Sequence, residues 1–185
     1  ASDVYKRQEA HFHALRGDVR LMQDNYDWAI TNYSRAIDRR DDFFYYHLQR
    51  GLAKKEIGQI SEAETDLNRS LELLPTAPAH NALGDIAKNR GDVATAVAHY
   101  KVVASSAGPA GEYAATEVAR IELPSNPGNY IARACDVDRN GYLVVSVRNN
   151  TKLSVTGVEV TVQYNDAGRP VARRFPVGRV IGAGQ

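Results

Sequence analysis

A single cysteine, Cys135, stands among the 185 residues. One thiol excludes an internal disulfide framework and a multi-cysteine zinc site, and Cys135 reads as a small buried apolar group. No apolar run approaches the roughly eighteen residues needed to span a bilayer, so direct membrane insertion is not expected. Charge of one sign is not in excess either. Lys and Arg number 23 and Asp and Glu 22, a formal net charge of +1, which supplies no footprint for nucleic acid or an anionic membrane. Catalytic signatures are missing too: there is no His-Glu-x-x-His, no Gly-x-Gly-x-x-Gly, no Gly-Lys-Ser/Thr and no Gly-x-Ser-x-Gly. A helical zinc-protease site, a phosphate cradle and a nucleophile elbow are therefore not readable here.

What is present is an average globular composition, 43% apolar and 24% charged, enough for one large domain or two small ones. The charge is divided unevenly. Residues 9–128 carry 13 basic against 17 acidic side chains, and residues 129–185 carry 8 against 4, which points to two domains with different surfaces.

The first of these is periodic. Gly17, Gly51 and Gly84 recur at spacings of 34 and 33 residues, as do Ala29, Ala63 and Ala96. Tyr33, Leu67 and Tyr100 follow each Ala, and then Ala36, Ser70 and Val103. A repeat of this length made of small and large places predicts pairs of antiparallel helices that bury their apolar faces only by stacking. The Gly and Ala places let two helices approach, and the aromatic or Leu is expected to fill the gap against the next unit. Asp92 and Ser61 read as helix N-caps, and Pro75 closes the second unit. Trp28 and the helical tyrosines read as core or inter-repeat filler. The run Arg39-Arg40-Asp41-Asp42 reads as a solvated helix end.

These places resemble three tetratricopeptide repeats, Ala10–Phe43, Phe44–Thr76 and Ala77–Ala110, except that Arg16 and Arg50 stand where that family usually has Leu. The stretch "GEYAATEVARIEL", Gly111–Leu123, with Tyr113, Val118 and Ile121 near one face, reads as the helix that caps the stack. The first helix is expected to begin near Glu9 or Ala10. The opening "ASDVYKRQ" falls outside the repeat and matches, residue for residue, the translation of a transposon adapter used in sequencing libraries. Residues 1–8 are therefore expected to be adapter-derived and non-native, with a natural chain that is longer at its front.

Residues 9–123 thus make the repeat domain, and "LPSNPGN" marks a linker over 124–129. Beyond it the apolar period becomes two. Leu143, Val145 and Val147 alternate with polar places, as do Val158, Val160, Val162 and Tyr164. Asn140-Gly141 and "NDAG" read as turns, "RPVARRF" as a further strand and "NYIARAC" as another. Val147, Asn149, Thr151, Val158, Val160, Val162, Tyr164, Asp166 and Gly168 match a pattern of small immunoglobulin-like modules. The fold class expected is an all-α tetratricopeptide solenoid followed by a small all-β immunoglobulin-like sandwich over 130–185, cut short at "IGAGQ". Asn149-Asn150-Thr151 fits a glycosylation acceptor but reads better as a turn at a strand end.

His13, His47 and His80 occupy one place in the three repeats. Stacked helices lie about 8–10 Å apart, while zinc ligands lie about 2 Å from one ion. Packing is the reading, and His11 and His13 point to different helix faces. The family resemblance implies a concave groove lined by the first helix of each repeat. Carried over by place, its lining is His11, Ala14, Asp18, Leu21 and Met22, then Tyr45, Leu48, Leu52, Lys55 and Glu56, then Asn81, Asp85, Lys88 and Asn89. The partner-binding set drawn from these is Asp18, Leu21, Met22, Tyr45, Leu48, Leu52, Lys55, Asn81, Asp85, Lys88 and Asn89. It runs from apolar to polar and suits a peptide or protein segment with one greasy and one polar or acidic end. It lacks the full basic set of a clamp for C-terminal carboxylates. A groove covered by another part of a parent chain is the alternative.

The function expected is protein binding without catalysis, with no catalytic residue, metal or cofactor in these residues. The stretches "EAHFHALRGDVRL", "FFYYHLQRGLA", "LNRSLELLPTAPAHNALGDIA" and "LPSNPGNY" also resemble the C-terminal half of bacterial HtpX-like zinc metallopeptidases of the kind that enhances outer-membrane assembly. That resemblance implies a zinc site in an upstream domain, a periplasmic or cell-envelope location, and an envelope protein or assembly machine as partner. The alternative is a free-standing scaffold of the envelope or cytoplasm with no protease activity.

Overall fold

The computed structural model describes residues 2–137, 139, 143–166 and 169–176. Within them seven α-helices precede four strands. Two compact units result, Ala1–Ala115 and Thr116–Gln185.

The first unit is built of helical hairpins: α1 (Asp3–Leu21) with α2 (Tyr26–Arg39), α3 (Phe44–Glu56) with α4 (Ile60–Leu73), and α5 (Ala77–Arg90) with α6 (Val93–Ala104). Helices α3 and α5 begin where the repeat boundaries place them. Local chemistry sets the ends. Asn25 and Asp92 cap α2 and α6 by accepting from the backbone N–H of Trp28 and Thr95, which satisfies a donor the helix leaves open. Gly91 ends α5 at φ 85°, a left-handed conformation that Gly adopts without strain.

Packing follows the small places. Ala29, Ala63 and Ala96 are fully buried. Gly51 meets α4 so closely that an added Cβ would lie 3.2 Å from the Ala63 carbonyl oxygen and 2.9 Å from Leu67 Cγ. At Gly17 and Gly84 the same atom would lie 2.8 Å and 2.6 Å from the rings of Tyr33 and Tyr100. Each aromatic therefore covers the Gly of its own hairpin, and the expected packing against the next unit is present as well, Tyr33 beside Tyr46 and Leu67 beside Ala79, Ala82 and Leu83. The apolar core has two parts. One gathers Tyr33 and Tyr46 around Ala10, Ala14, Ala29 and Ala36. The other gathers Leu48, Leu67, Leu83 and Ile86 around Ala63, Ala79 and Ala82.

Four expectations are corrected here. Helix α1 starts at Asp3, not at Glu9 or Ala10, because the Ser2 hydroxyl accepts from the Tyr5 N–H and each further residue adds a backbone bond until the helix ends. Residues 2–8 are nonetheless exposed. Ser61 lies inside α4, whose N-cap is Gln59. Trp28 is 56% exposed, since it stands in the first turn of α2, away from the buried stripe of Ala29, Tyr33 and Ala36. Cys135 is exposed, on a strand whose described neighbours Ala132–Asp136 are exposed with it.

Helix α7 (Pro109–Glu122) spans the division between the units. The second unit carries β1 (Ile131–Val137), β2 (Leu143–Asn149), β3 (Glu159–Asp166) and β4 (Arg169–Pro176). They pair as two antiparallel two-stranded sheets, β1 with β2 and β3 with β4. The expected strands are present, and the expected alternation holds where side chains are described: Val145, Val147 and Val160 are half-buried while Ser146, Arg148, Glu159 and Thr161 are exposed. Among the described residues the second unit is thus two small antiparallel hairpins. The side chains of Leu143, Val162, Tyr164 and Asp166, the turns at Asn140-Gly141 and Ala167-Gly168, and the final "IGAGQ" lie outside the described residues.

At the end of β2, Asn149 is fully buried. Its Oδ1 accepts from the Thr151 N–H at 2.9 Å and the Thr151 hydroxyl at 2.7 Å, and its Nδ2 donates to the Leu153 carbonyl. The Asn-x-Thr pattern is thus the turn that the sequence reading favoured, with the amide consumed inside it.

Candidate functional site

Helices α1, α3 and α5 are the first helices of the three hairpins, and polar bonds join them side by side. Asp18 on α1 accepts from the Tyr33 hydroxyl of α2 at 2.6 Å and from the Tyr45 hydroxyl of α3 at 2.8 Å. Asp85 on α5 accepts from the Tyr100 hydroxyl of α6 at 2.7 Å, from the Tyr113 hydroxyl of α7, and from Lys55 Nζ of α3 at 2.9 Å. One carboxylate therefore ties three helices at one end of the face and four at the other, its own included. In the middle hairpin the Asp place is Leu52 and the Tyr place is Leu67. Acid and phenol have given way together to an apolar pair.

Electrostatics follow this geometry. Burial and the bond to Asp18 push the Tyr45 phenol up to about 12. Burial and the bonds to Asp18 and Asp85 also raise Tyr33 and Tyr100. Burial alone would raise Asp85, but the Tyr113, Tyr100 and Lys55 donors outweigh it and hold its carboxyl below the ordinary value.

The other residues of the expected groove divide. Leu21 and Leu52 are partly buried against the two core clusters. Lys55 and Asn89 meet with Glu56, Ile60, Ile86 and Arg90 around an open cavity of ≈ 480 Å³. Lys88 Nζ lies 6.0 Å from the centre of the Tyr100 ring. Asn81 Nδ2 donates to the Ala110 carbonyl at 3.1 Å, so its amide holds α7 in place. Met22 is 86% exposed at the C-cap of α1. Leu48 and Ala14 are corrections: at 5% and 2% exposure they are core and offer no surface to a partner. Sequence reading missed Tyr33, Tyr100 and Tyr113. A signal for two of them was present, an Asp one residue after the repeat Gly and a Tyr fifteen residues further on, in the first and third units but not the second.

A second polar cluster lies inside the middle hairpin. Asp66, 3% exposed, accepts from Arg50 Nε and Nη2 at 2.8 Å and 2.6 Å and from Lys54 Nζ at 2.8 Å. This explains Arg50 at a place where Leu is usual: it forms a bidentate pair with a buried carboxylate. His47 Nδ1 stands 3.8 Å from Asp66, beyond hydrogen-bonding distance, while its Nε2 lies 2.9 Å from the Asp41 carbonyl oxygen. Burial would raise the Asp66 pKa, yet the bonds from Arg50 and Lys54 hold it well below the ordinary carboxylate value.

The repeat places of His47 and Asp66 are His80 and His99 in the third hairpin and His13 and Asn32 in the first. His80 and His99 face each other with Nδ1 atoms 3.1 Å apart. Among the described residues no group of three or more His, Cys, Asp or Glu could hold a metal. No helix among them is long and apolar enough to cross a membrane.

No protein-family model matches the sequence, and no curated protein matches it. Solved structures do. The Arabidopsis OM64 TPR domain is similar at 15% identity over 62% of this chain and 98% of that one, with a TM-score of 0.57. The first TPR of Spaghetti (RPAP3), bound to the HSP90 peptide SRMEEVD, is similar at 21% identity over 64% of this chain and 94% of that one, with a TM-score of 0.58. The first TPR domain of human RPAP3 is similar at 21% identity over 67% and 99%, with a TM-score of 0.57. At such identities the likeness is one of fold: the helical part of this chain has the fold of a tetratricopeptide-repeat domain.

Proposed function

We propose that this chain is a protein-interaction module whose α1–α3–α5 face holds a peptide or protein segment. The observation that carries the reading is the pair of carboxylate ties on that face. Asp18 with Tyr45, and Asp85 with Lys55, lock three neighbouring helices at fixed spacing, and a pre-ordered surface spends less of its binding free energy on ordering itself. A solved structure of this fold that holds the peptide SRMEEVD supports peptide binding as the activity. It does not transfer the ligand. Here Lys55 is matched by Asp85, and Asp18 faces the same side, so an acidic tail meets carboxylates as well as cations. A segment with apolar side chains for Leu21 and Leu52, and amides or hydroxyls for Asn89 and the cavity beside Lys55, fits better.

The test is selection of peptides from a random display library on the purified chain, followed by fluorescence polarisation. Binders are expected to lose at least tenfold in affinity when Leu52→Glu and Asn89→Glu are introduced together. Circular dichroism checks that the helices remain. Binders unaffected by the pair would place the docking surface elsewhere.

For the wider context we infer a C-terminal position in a periplasmic HtpX-like zinc metallopeptidase, with the strands of the second unit belonging to an immunoglobulin-like domain. Its support is the sequence resemblance alone. The coding sequence upstream decides it: a His-Glu-x-x-His helix behind a signal peptide supports it, and its absence leaves a free-standing scaffold.

A further inference from the structure

In the repeat register each histidine of a first helix is matched by a different residue on the second. The matches are Asn32 for His13, Asp66 for His47 and His99 for His80. Asn32 Nδ2 donates to the Trp28 carbonyl at 2.7 Å, and Asp66 accepts from Arg50 and Lys54. In the third hairpin two imidazoles meet instead, Nδ1 to Nδ1 at 3.1 Å. Both side chains are half-buried.

Charge divides the hairpins in the same way. Burial lowers the pKa of His13, and Arg16, Arg35 and Arg39 lower it further. The same places in the third hairpin are Leu83, Val102 and Ser106. Arg50 and Lys54, which surround the middle pair, give way there to Leu83 and Ala87. Burial lowers His80 and His99, and His80 lowers His99 further, but no arginine or lysine acts on either ring. Both imidazoles are therefore neutral near pH 7, the form that ligates a metal, and no cation stands by to repel one.

We propose that His80 and His99 bind one divalent transition-metal ion, of the zinc or copper kind, between α5 and α6 through their Nδ1 atoms. Two nitrogens about 2.0–2.1 Å from a tetrahedral ion lie roughly 3.3 Å apart, and those on adjacent corners of a square lie roughly 2.9 Å apart. The observed 3.1 Å falls between. The ring centres are 5.4 Å apart and the planes tilted by 47°, so the rings meet end to end. In the metal-free chain one Nδ1–H donates to the other Nδ1. The ion takes the place of that proton, and rotation about each Cβ–Cγ bond turns both lone pairs onto it. The donor ring gives its Nδ1 proton to water and takes one up on Nε2, so two neutral imidazoles bind with no net proton released. Among the described residues no third His, Cys, Asp or Glu joins them. Water completes the shell, and two protein ligands in place of four set an affinity in the micromolar range.

Calorimetric titration of zinc chloride into the full chain, stripped with EDTA and held at about pH 7.5, tests the site. The expected result is about one equivalent bound, with copper(II) tighter than zinc on the same residues and a melting temperature that rises with zinc. His80→Gln and His99→Gln should each weaken binding at least tenfold, while His13→Gln leaves it unchanged. Unchanged far-ultraviolet circular dichroism confirms the fold of each variant. Imidazole proton–nitrogen correlation spectra of the wild-type chain give a readout that needs no substitution: zinc should shift Nδ1 of His80 and His99. A chain that binds neither ion at millimolar concentration overturns the proposal. So does binding that both substitutions leave intact, or zinc found on Nε2 of these rings or on His11 and His13.

Discussion

Asp66 is the side chain on which most charge converges in the helical unit. Removing it as Asp66→Ala strands two cations beside a core position. Urea unfolding should then show a loss of about 3 kcal/mol, the low end for a broken buried pair, because the Arg50 and Lys54 side chains retain 19% and 15% exposure and can turn toward water. Gly84→Ala acts by sterics alone. Its Cβ would enter the Tyr100 ring, and Tyr100 cannot retreat without leaving Asp85. The expected cost is about 1–3 kcal/mol, read from the shift in the same urea midpoint. Burial lowers the pKa of both His80 and His99, and for His99 the neighbouring His80 lowers it further. A histidine depressed in the folded state takes up more protons when unfolded, so the stability it supports is present above 6.5 and lost as pH falls through the folded value. Thermal melts should therefore drop as pH goes below 6.5, and His99→Gln should flatten that drop. Asp66 and Asp85 contribute a separate loss that begins only below 3.8, since their folded values are lowered.

At the scale of the element, short-range chemistry and packing divide the work. Helix α6 begins at Asp92 because that side chain can cap it, whereas α4 begins at Gln59 although Ser61 is the better capping residue. The position of Ile60 against the α3–α4–α5 cluster outweighs a cap worth about 1 kcal/mol. In the second unit the turn after β2 depends on one amide. Asn149→Ala removes the acceptor of the Thr151 N–H and leaves the Leu153 carbonyl only the Thr151 hydroxyl, and should cost about 1–3 kcal/mol in that unit. The same burial predicts that expression in a glycosylating host leaves Asn149 unmodified, which an intact-mass measurement checks.

Over the whole molecule, the hairpins behave as a row in which each stabilises its neighbour. Ala63→Leu would overpack the crossing of α3 and α4 and should lower hydrogen-exchange protection in all three hairpins. Val103→Ala at the far end should lower it chiefly in α5 and α6. Equal effects from both would contradict a nearest-neighbour row. The face built by α1, α3 and α5 is a property of this scale too, since Asp18, Tyr45, Lys55 and Asp85 come from different hairpins and meet only in the stack.

Much of this was legible in the residues alone. The repeat of Gly, Ala and Tyr or Leu places set three hairpins and their boundaries at Phe44 and Ala77, because a helix–helix crossing tolerates only small side chains and that demand recurs once per unit. Alternation set the strands, because successive side chains leave a strand on opposite faces. Periodicity could not tell Leu48 from Leu52, Trp28 from Tyr33, or Cys135 from a buried thiol. Those fates depend on which neighbour lies over each face, and that neighbour is contributed by a distant stretch of chain. The tertiary structure alone decided that two aspartates would bind tyrosines across helices and that Arg50 would find Asp66. Each is a contact between residues whose separation in sequence carries no information about their distance in space.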